Sequence, residues 1–222
     1  MVIIKNIDMK KIAIFGAGGF GREVKTIIDS INKQEKIYEF IGFYDDGIEK
    51  GNIINNYPVL GGVKDINMLK EEVSLVISIG DPKTKSKIVS LIENPLVSYP
   101  NIISPNAIVS DDFVSLGKGN IVCAGSIITC NIDIRDFVIL NLSCTVGHDT
   151  VINSYASFMP SVNISGEVVI GEGVYVGTGA KIINLLEIGE YTIVGAGAVV
   201  SKTLPAKCTA VGVPAKPIKF HE

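Results

Sequence analysis

The 222-residue chain has no tryptophan, two histidines and four cysteines, and its charges nearly cancel at a net −3. Aromatic residues make up 7% of the chain, so a core built from it must be aliphatic. The near-neutral balance gives no reason to expect nucleic acid or an anionic membrane as a partner. No run of about 18 apolar residues occurs, which excludes a membrane-spanning helix. The opening MVIIKNIDMK lacks an apolar stretch long enough for a signal peptide. Cys123, Cys130, Cys144 and Cys208 form no C-x-x-C pair, and only His148 lies near enough in sequence to share a metal with them. We therefore expect no metal site, and reduced thiols in a cytosolic protein. Cys130 and Cys144 fall in or beside a repeat described below and read as small core residues. What remains is a lone His-Asp pair, His148 and Asp149, inside NLSCTVGHDTV.

The first part reads as an α/β unit. In KKIAIFGAGGFGREVKTIIDSI, Ile12 to Phe15 is a buried-strand run, and Val24, Ile27, Ile28 and Ile31 recur on one helical face. Between them Gly16, Gly18 and Gly21 fit G-x-G-x-x-G, a turn that lets backbone N–H groups approach a phosphate. EFIGFYDD reads as a second strand ending at Asp45 and Asp46, where acidic side chains commonly bind a ribose or base edge. SLVISIGDPKTKSKIVSLI predicts a strand from Leu75 to Ile79, then Gly80 and a helix. Three strand ends thus converge on one edge, at Gly18 to Phe20, Asp45-Asp46 and Gly80. Open α/β sheets bind ligands there. The segment is short for a dinucleotide site, so a mononucleotide is the better fit, and an oxidoreductase reading of the glycine motif is weak.

The second part repeats every six residues. From Leu116 through Val122, Ile128 and Ile134 to Val194 and Val200, an aliphatic or aromatic residue returns at every sixth position, fifteen times without slip. Small or aliphatic residues such as Ser126, Cys144, Ala156 and Ala180 stand four positions after each. This period predicts a parallel β-helix of five triangular coils, about 4.8 Å apart, each sixth residue stacking on its equivalent eighteen later. ISPNAIVSDDFV reads as an earlier coil out of frame.

Together the halves resemble the sugar O- and N-acyltransferases of the left-handed β-helix superfamily, in particular the bacterial sialic acid O-acetyltransferases and UDP-4-amino-sugar N-acetyltransferases. The likeness runs from Lys11 to Phe220 through IFGAGGFGREV, GFYDD, ISIGDPKTKSKI, NLSCTVGHDTVI, the hexads and VGVPAKPIKF. It implies a Rossmann-like nucleotide-sugar-binding domain over residues 1–98, a left-handed β-helix over 99–222, a homotrimer and acetyl-coenzyme A as co-substrate. By position it assigns His148 as catalytic base with Asp149 supporting it. Gly18, Gly19, Phe20, Asp45, Asp46, Gly80 and Asn141 are assigned to the sugar nucleotide, and Ser157, Thr178 and Ala196 to the coenzyme. Two residues depart from the pattern. Phe20 stands where amino-sugar enzymes often carry histidine, and Ser157 where some relatives place a histidine against coenzyme A.

Acetyl transfer from a thioester needs a base as the amine or hydroxyl attacks. Histidine, with an ordinary pKa of about 6.5, accepts a proton at neutral pH. The expected activity is N-acetylation of a nucleotide-linked amino sugar of the UDP-4-amino type. O-acetylation of a sugar such as sialic acid, or a non-catalytic sugar-nucleotide scaffold, are the alternatives.

Overall fold

The computed structural model describes residues 9–221. Residues 1–8 of the expected first domain, with most of the MVIIKNIDMK opening, and Glu222 lie outside the described residues. Strand β1 (Lys10–Phe15), helix α1 (Gly19–Gln34) and strand β2 (Tyr38–Tyr44) open the fold. A hairpin of β3 (Ile53–Ile54) and β4 (Tyr57–Pro58), a short α2 (Val63–Asn67), β5 (Val73–Ile77), α3 (Pro82–Leu91) and β6 (Val97–Ser98) follow. Strands β2, β1, β5 and β6 lie in that order in one parallel sheet. Helix α1 buries Val24, Ile27 and Ile28 at helical spacing, as the sequence requires.

Strand β5 ends at Ile77, two residues short of the expected Ile79. The reason is Ser78. Its hydroxyl donates to the carbonyls of Phe15 (2.8 Å) and Gly16 (3.0 Å), which ties the strand end to the glycine-rich turn and stops the extended run.

From Ile102 onward the chain winds as a left-handed parallel β-helix of about six turns. Its three faces are stacks of two- or three-residue strands. Ile121–Val122, Ile139–Leu140, Ser157–Phe158, Tyr175–Val176 and Ile193–Val194 build the first, paired in parallel at eighteen-residue intervals. The second runs through Thr145–Val146 and Asn163–Ile164, the third through Val151–Ile152 and Val169–Ile170. Every hexad residue from Val122 to Val200 is buried and points into the bore. Each contributes about 1.5–3 kcal/mol by leaving water.

Beyond the five in-frame coils, the out-of-frame coil expected at ISPNAIVSDDFV is present, and the last turn closes short. Ile102–Ile103 and Ile108–Val109 pair with Ile121–Val122 and Ile127–Ile128 at a spacing of nineteen, whereas Val114–Leu116 meets Ile132–Ile134 at eighteen. One extra residue in the corner after Val109 produces the frame slip visible in ISPNAIVSDDFV. At the other end Ile193–Val194 pairs with Thr209–Ala210 at a spacing of sixteen, and the strand Ala215–Phe220 folds back antiparallel on it.

The two halves share their cores. Ile121, Cys123 and Ile139 face outward from the first helix face, yet they are buried because α1 and its neighbours cover them. Beside this seam Phe137 and Tyr155 stack at 5.5 Å, and Tyr99 meets Phe137 edge-on at 5.0 Å. Cys144 lies in the bore as expected, but Cys130 is only half-buried, because it sits in a corner rather than at a strand position.

Candidate active site

His148 follows Thr145–Val146 and the small residue Gly147, at a corner of the helix. Asp149 there takes φ +58°, a turn sharp enough to bring consecutive side chains together. His148 Nδ1 and Asp149 Oδ2 are 2.7 Å apart, with both side chains about half exposed at 56% and 48%. The bond from His148 holds the Asp149 carboxyl below its usual range, and Asn131 and the charge of a protonated imidazole add to this. An ionised carboxylate only accepts, so Nδ1 carries a hydrogen, and in the neutral imidazole Nε2 keeps its lone pair. A Cβ built on Gly166, one coil on, would lie 2.5 Å from Nε2, so the absence of a side chain there lets the imidazole settle. A carboxylate at this position fixes the tautomer of an imidazole and would stabilise an imidazolium formed there.

Asn141 lies at the preceding corner and is nearly buried. Its Oδ1 accepts from the Leu142 amide at 2.7 Å, which holds the side chain in one orientation. Thr178 and Ala196 occupy the same corner on successive coils, and both are exposed. Their coils are close-packed: the Thr178 carbonyl accepts from Gly197 at 2.8 Å, and a Cβ on Gly177 would lie 2.5 Å from the Ala196 nitrogen. Ser157 is different. It is fully buried beneath α3, and its hydroxyl receives the Lys85 ammonium group at 2.8 Å, which leaves no surface of Ser157 for a ligand.

The α/β edge assembles as the strand ends suggest. Gly16 donates to Tyr44 at 2.8 Å, and Ser78 to Phe15 at 2.9 Å, so the three turns lie side by side. Asp45 Oδ2 accepts from the Ala17 amide at 2.9 Å, and its Oδ1 from Gly47 at 2.9 Å. Asp45 therefore braces the glycine-rich turn directly. Asp46 instead faces α2, where its Oδ1 accepts from the Val63 amide at 2.9 Å. Both aspartates line a cavity of about 570 Å³ with Gly61 and Gly62, and Gly18 to Phe20 are not among its walls. The glycines also divide. A Cβ on Gly21 would stand 1.8 Å from the Gly16 carbonyl oxygen, whereas one on Gly18 would meet nothing within 4 Å. Gly18 and Gly19 are exposed at the open N-terminus of α1, which no side chain caps, while Phe20 leans into the core. Gly80 sits where the sheet edge approaches the β-helix, and a Cβ on it would lie 3.8 Å from Met159 Cε.

Sequence reasoning missed Lys85. Its signal was the spacing of Pro82, Lys85 and Ile88, which puts a lysine on the buried face of α3. Among the described residues no group of three or more His, Cys, Asp or Glu is placed to hold a metal, and no helix is long and apolar enough to cross a membrane.

Residues 11–92 match the family described as PglD N-terminal domain. Over 217 residues, 95% of this chain and 97% of the relative, the sequence is 32% identical to the GDP-perosamine N-acetyltransferase of Escherichia coli O157:H7. The structure of PerB from Caulobacter crescentus, in complex with CoA and GDP-perosamine, superposes with a TM-score of 0.84 at 32% identity, covering 94% of this chain and 97% of that one. The acetyltransferase domain of PglB from Neisseria gonorrhoeae, in complex with acetyl coenzyme A, gives 0.86 at 30% identity, covering 95% and 100%.

Proposed function

The chain belongs to the hexapeptide-repeat, left-handed β-helix acetyltransferases that carry a PglD N-terminal domain, and on that premise we propose that it transfers acetyl from acetyl-coenzyme A to the amine of a nucleotide-linked amino sugar. The scaffold and oxidoreductase alternatives give way to an acetyltransferase. The observation that carries the mechanism is the His148–Asp149 pair, a base with Nε2 free beside an oriented carboxylate.

In this reading the nucleotide lies against Gly18, Gly19, Phe20 and Asp45 at the sheet edge, with Gly80 facing the β-helix. Asp46 acts through the α2 cap. The amine meets the thioester at the His148 corner of the β-helix, near Asn141. His148 Nε2 takes a proton as nitrogen attacks the thioester carbon, and the tetrahedral intermediate expels coenzyme A as the thiolate. The proton on Nε2 is then free to pass to the departing sulfur. General base catalysis of this kind contributes about 10²- to 10⁴-fold. Thr178 and Ala196 support the coenzyme along their corner, and a homotrimer supplies the facing wall of the groove. Guanosine diphosphate is a better choice than the uridine nucleotide the sequence suggested, because, of two relatives similar over nearly their whole length, one is named GDP-perosamine N-acetyltransferase and the other holds GDP-perosamine.

The test is thiol release from acetyl-coenzyme A in the presence of GDP- and UDP-linked 4-amino sugars. Release with a GDP-linked amino sugar, and a product stable to hydroxylamine as an amide is, supports the reading. Release only with hydroxylated sugars, giving a hydroxylamine-labile ester, would overturn it.

A further inference from the structure

The buried face of α3 consists of Pro82, Lys85 and Ile88. A lysine there is anomalous, because a charged group is removed from water at a domain seam. Lys85 is fully buried, and its Nζ donates to Ser157 Oγ at 2.8 Å and reaches the Ala156 carbonyl at 3.4 Å. Asp81, whose charge acts on it, makes no ion pair with it and instead caps the helix, its Oδ1 accepting from the Thr84 amide and hydroxyl. Burial pushes the Lys85 ammonium well below its usual range, and Asp81 opposes this only in part. A methionine would fill the same channel without that penalty. What lysine adds is a directed donor to two acceptors seventy-one and seventy-two residues away.

Those acceptors are well placed. Ser157 leads into Phe158 and Met159, the residue that Gly80 approaches. Ser157 pairs with Ile139, and Ile139–Leu140 runs directly into Asn141. The same coil carries on through Thr145–Val146 to His148. Lys85 therefore ties the helix that follows the Gly80 turn to the coil stacked on the one leading to His148.

We infer that Lys85 is a positioning residue: by donating to Ser157 and Ala156 it locks α3 and the Gly80 turn onto the β-helix, and so sets how a nucleotide-bound amine is presented to His148. The inference rests on the reading that the Gly80 edge binds the sugar nucleotide. A misplacement of about 1 Å in such a presentation lowers rates by up to about 10²-fold.

Lys85→Met removes the donor, Ser157→Ala removes its nearer acceptor, and the double variant leaves neither group unpaired. Each is compared with the wild type in steady-state kinetics, thermal melting and amide hydrogen exchange. The expected result is a fall of about 5- to 50-fold in kcat/KM for the nucleotide sugar in all three, with no further loss in the double variant. KM for acetyl-coenzyme A stays within about twofold, the double variant melts within about 5 °C of wild type, and exchange rises in segments 80–84 and 157–159. Unchanged kcat/KM and unchanged exchange in the single variants overturn the inference. So does an activity loss that falls on both substrates alike and tracks a lower melting temperature. If the wild type acetylates no nucleotide-linked amino sugar, the functional reading fails, while the exchange arm still decides whether Lys85 locks the two halves.

Discussion

His148 Nδ1 lies 2.7 Å from Asp149 Oδ2 although the two residues are consecutive, because Asp149 sits at φ +58°. The pair is thus a product of the corner. A side chain on Asp149 tolerates this left-handed backbone at a modest penalty, as Asn and Asp do more readily than most residues.

His148→Ala is expected to leave the fold intact, since the imidazole is half exposed and outside the bore. Turnover at neutral pH falls by about 10²- to 10⁴-fold. Asp149→Asn falls between the two. Steady-state turnover of the three proteins at neutral pH checks this, and near-normal turnover in His148→Ala would remove the base from the mechanism.

The glycines of the first turn separate fold from binding. Gly21→Ala drives a methyl group into the Gly16 carbonyl, 1.8 Å away. It should lower stability by about 1–3 kcal/mol or more through overpacking. Gly18→Ala meets open space, so melting is unchanged while affinity for the nucleotide falls. Calorimetric titration with a nucleoside diphosphate, beside thermal melts, distinguishes the two. Equal melting temperatures for both variants would contradict the assignment.

Asp45 and Asp46 should part in the same way. Asp45→Ala releases the Ala17 amide and weakens sugar-nucleotide binding by about 1–3 kcal/mol, roughly 5- to 150-fold. Asp46→Ala uncaps the start of α2 and lowers stability by about 0.5–2 kcal/mol. Binding and unfolding measured on each variant show whether the effects segregate.

Oligomeric state has its own test. Ile108 and Ile127 stand one above the other on the second face, 64% and 38% exposed. Threefold symmetry would bury these positions three times and form three coenzyme grooves. Sedimentation should report a trimer at micromolar concentration, and Ile127→Lys should weaken it. A stable wild-type monomer would refute both the trimer and the shared groove.

Lys85 makes stability depend on pH in a defined direction. Its folded-state pKa is lowered, so in the window between that value and about 10.5 the unfolded chain binds more protons. Stability therefore rises with pH across the window. Burial raises the Cys123 and Cys144 thiols, which lowers stability once unfolded cysteines ionise, so melts from neutral pH to about 8, below that range, should show a rise in wild type that Lys85→Met flattens. Parallel curves would mean the buried amine does not titrate there.

The sequence shows most clearly what depends on near neighbours. Each hexad residue pairs with its equivalent eighteen positions away, so the β-helix can be read from period alone. The His148–Asp149 contact needs only one corner. The Lys85–Ser157 bond was not legible, because it joins residues seventy-two apart and uses a residue type that rarely enters a core. For the same reason Ser157 looked available to a ligand, and nothing local reveals that α3 covers it. The differing roles of Asp45 and Asp46 were hidden too, since adjacent strand-end residues point to opposite sides.

The nineteen-residue first coil and the sixteen-residue last one bear on how the chain finds its fold. A stack of near-identical eighteen-residue rungs has competing alignments, each shifted by one rung and almost as well packed. Such near-degeneracy is what frustrates a folding landscape. The odd corner after Val109 and the shortened closing turn fit no other rung, so a shifted stack leaves both ends mismatched. They act as registration marks. Restoring perfect periodicity by deleting one residue between Val109 and Val114 would erase one of them, and the chain would gain regularity while losing its single answer to where the ladder begins.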